Sequence, residues 1–112
     1  MAIKSGETTY HQAKRGIVQN GLVLNLDAGV DASYDGGTTW RDLEGGSNGA
    51  LTNSPTFDRD KGGSIVFDGS DDRVEIADND LFSFIGSAFS LTTWLKTSST
   101  ISSSKGCICK GN

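Results

Sequence analysis

Apolar side chains recur at every second position in several short runs, and this period of two most constrains the fold. Leu22, Leu24, Leu26 and Ala28 alternate with Val23, Asn25 and Asp27. Ile65 and Phe67 alternate with Val66 and Asp68, and Val74 and Ile76 with Arg73 and Glu75. Phe89, Leu91, Thr93 and Leu95 alternate with Ser90, Thr92, Trp94 and Lys96. Successive side chains of a strand point to opposite faces, so each run predicts one buried face. Between the runs stand Gly36-Gly37, Glu44–Gly49, Asn53-Ser54-Pro55 and Asp68–Asp72, which are turn compositions. With 15 glycines and a single proline in 112 residues, many turns between short strands are expected rather than a helical bundle.

The strongest local unit is residues 62–78. Two alternating runs flank a Gly/Asp-rich turn, which predicts a β-hairpin with Ile65, Phe67, Val74 and Ile76 on one face. Residues 89–97 read as the best strand, central because apolar residues occupy both faces. On this reading Trp94 belongs to the core. Ala50–Thr52 is a further short strand, and Cys107–Lys110 begins another. Residues 80–85 form a helical turn capped by Asp78 or Asp80. The fold class expected is all-β, an antiparallel jelly-roll β-sandwich over residues 21–112 that five or six strands leave truncated. Residues 1–20 lack periodicity and form a flexible or partner-bound arm.

Charge and motifs exclude several classes of function. Of the ten basic and fourteen acidic side chains, three basic and one acidic lie in residues 1–20. The remaining body is acidic and repels phosphate, so nucleic acid is not an expected partner. No run approaches the ~18 apolar residues of a membrane span. The N-terminus has no apolar signal core, so export by that route is not expected. Gly45–Gly49 lacks the Lys-Ser/Thr ending of a phosphate loop. The single His11 has no matched nucleophile. Cys107 and Cys109, two apart on a strand, are about 6.6–6.8 Å from each other, at the limit of disulfide reach. They are expected as reduced thiols.

Three residue sets remain as candidates. Asp27, Asp71 and Asp72, with Asp68 beside them, supply oxygen ligands of the kind calcium takes. Aspartates also form turns by bonding their own backbone, and that reading competes here. Tyr34, in an exposed loop, and Trp40, between loops, are the aromatic rings available to stack on a sugar. Lys4, Tyr10, Lys14 and Arg15 give the arm the means to anchor on an acidic partner.

Four blocks in order resemble laminin-G-like domains of the concanavalin A-like lectin/glucanase superfamily. They are GLVLNLDAG (21–29), TTWRDLEGGSNGALTNSPTF (38–57), GGSIVFDGSDDRVEI (62–76) and FSLTTWLKTSS (89–99). The stretch RGIVQNGLVLNLDAG is also similar to the opening of structural proteins of tailed phages, notably cyanophages. The resemblance implies a two-sheet jelly roll that in this superfamily often binds glycans, sometimes with calcium. Glucanases of the superfamily carry a Glu-x-Asp-x-Glu strand, and Glu7, Glu44 and Glu75 form no such pattern. The expected role is a non-catalytic virion module of head, neck or tail. It would be assembled in the host cytoplasm, anchored to other virion proteins through residues 1–20, and would present a surface to host glycans. The alternatives are a free or cell-surface lectin module, and a glycoside hydrolase whose catalytic strand lies beyond residue 112.

Overall fold

The computed structural model describes residues 17–98 and 106–111. Lys4, Tyr10, Lys14 and Arg15, which the sequence suggests as anchoring residues, lie outside them. Five short strands pair antiparallel: β1 (Thr39–Trp40), β2 (Gly49–Thr52), β3 (Thr56–Asp58), β4 (Ser64–Val66) and β5 (Arg73–Ile76). One sheet has the order β1-β2-β5, and a second pairs β3 with β4. Two single-turn 3-10 segments, Asp60–Gly62 and Asp80–Phe82, are the helical elements among the described residues. The described residues are strand and loop with almost no helix, as the alternation and the glycines predict.

Register explains the core. Leu51 lies opposite Val74 and Gly49 opposite Ile76, while Ala50 and Thr52 face Glu75 and Arg73. The first set forms the inner face, and Leu51 is buried. Glycine is required at position 49 by close approach. A Cβ there would lie 2.6 Å from Val74 Cγ1, and Leu26 Cδ1 closes the same space at 3.7 Å. Arg73 and Glu75 pair on the outer face, half exposed, as expected of a solvent side. In the second sheet Phe57 lies opposite Ile65. Tyr34 packs against Phe57 with ring centroids 5.0 Å apart, and the Arg59 guanidinium covers Phe57. Pro55 and its neighbours separate β2 from β3, with Asn53 and Ser54 at positive φ.

Several expectations are corrected. Residues 62–78 do not form a hairpin: β4 pairs with β3, and β5 with β2. The Asp68–Asp72 turn, closed by bonds of Asp68 and Asp72 to its own backbone, carries the chain from one sheet to the other, because β3 takes β4 as its partner and β2 takes β5. Residues 22–27 are not a laddered strand with buried leucines. All six are half-buried, since their backbone bonds run to loop groups rather than to a neighbouring strand. Residues 89–97 are not a central strand. Leu91, Leu95 and Trp94 are exposed, Trp94 at 98%. Phe67 also stands 44% exposed. Cys107–Lys110 bends instead of extending, with both thiols free and exposed. The turn at 80–82 is present, but its cap is Asn79, whose side chain accepts from the Leu81 N–H at 2.8 Å.

The tightest packing surrounds two polar residues. Ser33 has no solvent exposure, and its Oγ accepts from the Asp27 N–H at 3.0 Å and donates to the Arg41 carbonyl at 2.6 Å. Asp42, 5% exposed, accepts from the amides of Asn25, Glu44, Gly46 and Ser47 at 2.9–3.1 Å. Each bond to a charged acceptor contributes about 1.5–3 kcal/mol, and an orphaned buried amide costs about 1–3 kcal/mol. Asp42→Ala is therefore expected to lower stability by about 3 kcal/mol or more in urea unfolding. Asp42→Asn should fall between the two, because an amide group keeps one acceptor oxygen. A midpoint for Asp42→Ala equal to wild type would refute this account of the loop.

Candidate functional site

The sequence that leaves β4, Asp68-Gly-Ser-Asp-Asp72, closes on itself through its own carboxylates. Gly69 takes φ 79°, a left-handed conformation that glycine adopts without strain. Asp68 Oδ1 accepts from the Ser70 N–H at 2.8 Å and the Asp71 N–H at 3.3 Å. Asp72 Oδ2 accepts from the Asp68 N–H at 3.0 Å. Asn53 at the end of β2 donates from Nδ2 to the Asp71 carbonyl at 2.9 Å, which fastens the turn to the first sheet. As a result one carboxylate oxygen from each of Asp68, Asp71 and Asp72 lies within 4.8 Å of the others. Asp72 Oδ1 is shielded from water and has no hydrogen-bond partner.

Two of the three predicted metal ligands, Asp71 and Asp72, therefore stand together. Asp27 is not in the group, and Asp68 completes it. Asp27 Oδ1 instead accepts from the Gly29 N–H at 2.9 Å, and its own N–H is held by Ser33. Three carboxylate oxygens this close together are ligands of the kind a hard, oxygen-seeking cation such as calcium takes. The same aspartates also do ordinary turn work, as the bonds to Ser70 and Asp71 demonstrate.

The aromatic candidates separate. Tyr34 is only 4% exposed. Its hydroxyl donates to the Gly37 carbonyl at 2.8 Å, and one ring face is taken by Phe57. The expectation of an exposed ring is overturned, because the loop after Val30 folds back and buries the apolar body while its polar tip is satisfied locally. Trp40 is half-buried on β1 opposite Gly49, with its Nε1 shielded from water and without a partner. Trp94, expected in the core, is the tryptophan that faces water.

Sequence reasoning missed Ser33, Asp42 and Ser47. Asp42 had a local signal: an aspartate followed by Leu-Glu-Gly-Gly-Ser-Asn-Gly is a side-chain acceptor placed before a run of amides that needs one. Ser33 had no such signal. Its partners Asp27 and Arg41 are six and eight residues away and meet it only in the folded loop. Ser47 is buried and accepts from Asn79 Nδ2 at 2.8 Å, a contact spanning 32 residues.

Comparison of the chain with family models, curated proteins and solved structures finds no match.

The Ser70 amide holds the Asp68 carboxyl below its ordinary value of 3.8; desolvation opposes it, and the other turn amides add smaller contributions in the same direction as Ser70. A lowered folded value means that the turn gains stability above the ordinary value and loses it as pH falls through the lowered one. Followed by NMR, the Ser70 amide proton is expected to titrate with a midpoint below 3.8, and Asp68→Asn should abolish that titration. A midpoint at or above the ordinary value would remove the proposed bond as its cause.

Proposed function

We propose that this chain is a non-catalytic structural or attachment module of a tailed-phage particle. Its strands would belong to a jelly-roll sandwich of the concanavalin A-like type, anchored to other virion proteins through residues 1–20. The observation that carries this reading is how polar and apolar groups are used. Asp42, Asp27, Asp58 and Asp68 spend carboxylate oxygens on backbone amides, and Glu75 on Arg73. Large apolar side chains meanwhile stand exposed, among them Ile85, Leu91, Trp94 and Leu95. Large exposed apolar side chains within one stretch of sequence are the kind of surface that association covers. The ladders add support, because β2–β5 and β3–β4 both join the block around residues 38–57 to the block at 62–76.

A lectin function is the second reading, and the acidic turn favours it. Asp71 and Asp72, with Asp68, would hold calcium there, and the ion would offer open coordination positions to sugar hydroxyls. This reading applies equally to a module displayed on a particle and to one on a cell surface.

Two measurements test these readings. Mass spectrometry of purified particles should find the chain, and a version lacking residues 1–20 should be lost from them. Incorporation of the shortened chain at wild-type level would reject the anchoring role. A glycan array read with calcium and with chelator should show binding that chelator and Asp71→Asn/Asp72→Asn both abolish. Binding in neither condition would leave the structural role alone.

A further inference from the structure

We infer that Asn20 is a site of spontaneous modification, converting through a cyclic imide to aspartate and isoaspartate, while the fold protects the other Asn-Gly pair at Asn48. Imide formation needs an asparagine whose following amide nitrogen can reach the side-chain carbonyl carbon. A side chain on the following residue hinders that approach, and glycine has none. Asparagine precedes glycine twice, at Asn20-Gly21 and Asn48-Gly49. Asn25, Asn53 and Asn79 precede Leu26, Ser54 and Asp80, whose side chains crowd the nitrogen. Local sequence therefore makes positions 20 and 48 equal, and the structure separates them.

Asn20 and Gly21 are the central residues of a turn closed by one bond, from the Leu22 N–H to the Gln19 carbonyl at 3.1 Å. Gly21 supplies the positive φ of 84°. Both residues are exposed, and no hydrogen bond among the described residues engages the Asn20 side chain or the Gly21 N–H. A Cβ at position 21 would meet nothing within 4 Å, so the turn has room to rotate. Asn48 is restrained instead. Its Oδ1 accepts from the Asp42 N–H at 2.9 Å. Gly49 is buried and sits in the ladder between Trp40 of β1 and Ile76 of β5. Val74 Cγ1 closes the space beside it. For the Gly49 nitrogen to swing onto the Asn48 side chain, this corner of the sheet must first open, and the opening equilibrium slows the reaction.

The step balances without an oxidant or a reductant. Hydroxide removes the Gly21 amide proton, and the nitrogen attacks Asn20 Cγ. The bond from Cγ to Nδ2 breaks, and Nδ2 leaves as ammonia after taking a proton from water. Water then adds to one carbonyl of the cyclic imide. Opening at Cγ gives aspartate, and opening at the backbone carbon gives isoaspartate, with the chain running through the former side chain. Either product adds a negative charge at the end of residues 1–20, which carry three basic side chains and one acidic. Isoaspartate also lengthens the backbone by one methylene, just before the segment that Asp42 and Ser33 hold. The inference is independent of where the chain resides and would survive failure of the particle reading.

Peptide mapping by mass spectrometry tests it on the full 112-residue chain, held in mildly alkaline buffer and sampled over days. Tryptic fragments 16–41 and 42–59 carry the two sites separately. The folded chain should gain the acid mass at Asn20 at least about tenfold faster than at Asn48, which waits on local opening. In guanidinium chloride the two sites should convert at similar rates. Gly21→Ala should remove most of the conversion at Asn20. Equal rates in the folded chain or an Asn20 that survives there unchanged would overturn the inference. So would a lag of Asn48 that persists in guanidinium chloride, or a Gly21→Ala variant that converts as wild type.

Discussion

A carboxylate removed from water is tolerated only when its oxygens are fully hydrogen-bonded, and Asp42 meets that demand by gathering four backbone amides. Those amides come from two places. Glu44, Gly46 and Ser47 belong to the loop that follows, whereas Asn25 belongs to a segment seventeen residues earlier. The Leu43 N–H returns a bond to the Asn25 carbonyl at 2.8 Å, so the two segments are held from both sides. Ser33 repeats the device one turn away, joining Asp27 to Arg41. Between them these two side chains fix where residues 25–28 run. That in turn brings Leu26 against Gly49 and Val74 on the inner face of the first sheet.

The strands depend on this frame more than it depends on them. The longest have four residues, and a short two-stranded pairing has little stability of its own in water. β1 ends two residues before Asp42, and β2 begins two residues after Ser47, so the polar loop sets the spacing and register of both. The exposed ion pairs contribute little by comparison. Arg41–Asp35 and Lys110–Asp78 are both largely solvated, and such pairs contribute about 0–1 kcal/mol each.

One residue type performs two physical tasks in this chain. At position 42 an aspartate is sealed and saturated with donors. At positions 68, 71 and 72 the aspartates lie close together, Asp68 and Asp71 exposed and Asp72 half-buried, and one oxygen of Asp72 is left without a donor. The first arrangement is structural because nothing further can reach it. The second retains capacity for a cation because it is partly open and its negative charge is concentrated. The apolar strip at 89–95 is a third kind of surface, with neither donors committed nor charge to hold water.

The sequence alone determined that this chain forms short antiparallel strands with very little helix. Period-two alternation and frequent glycines are local properties and act wherever the chain goes. Which face of β5 turns inward was legible for the same reason: Val74 and Ile76 alternate with Arg73 and Glu75. So was the presence of turns at Gly36-Gly37 and Asp68–Asp72. Only the tertiary structure decided which strand pairs with which. The turn at 68–72 reads identically whether it joins neighbours or carries the chain between sheets, because its own bonds are the same in both. Likewise Tyr34 and Trp94 exchanged their expected environments. A side chain's burial depends on what arrives to cover it, and for Tyr34 that was Phe57, brought by a strand that alternation did not reveal. Asp42 and Ser33 became the centre of the fold because their partners are distant in sequence, and local pattern carries no record of a contact that only folding creates.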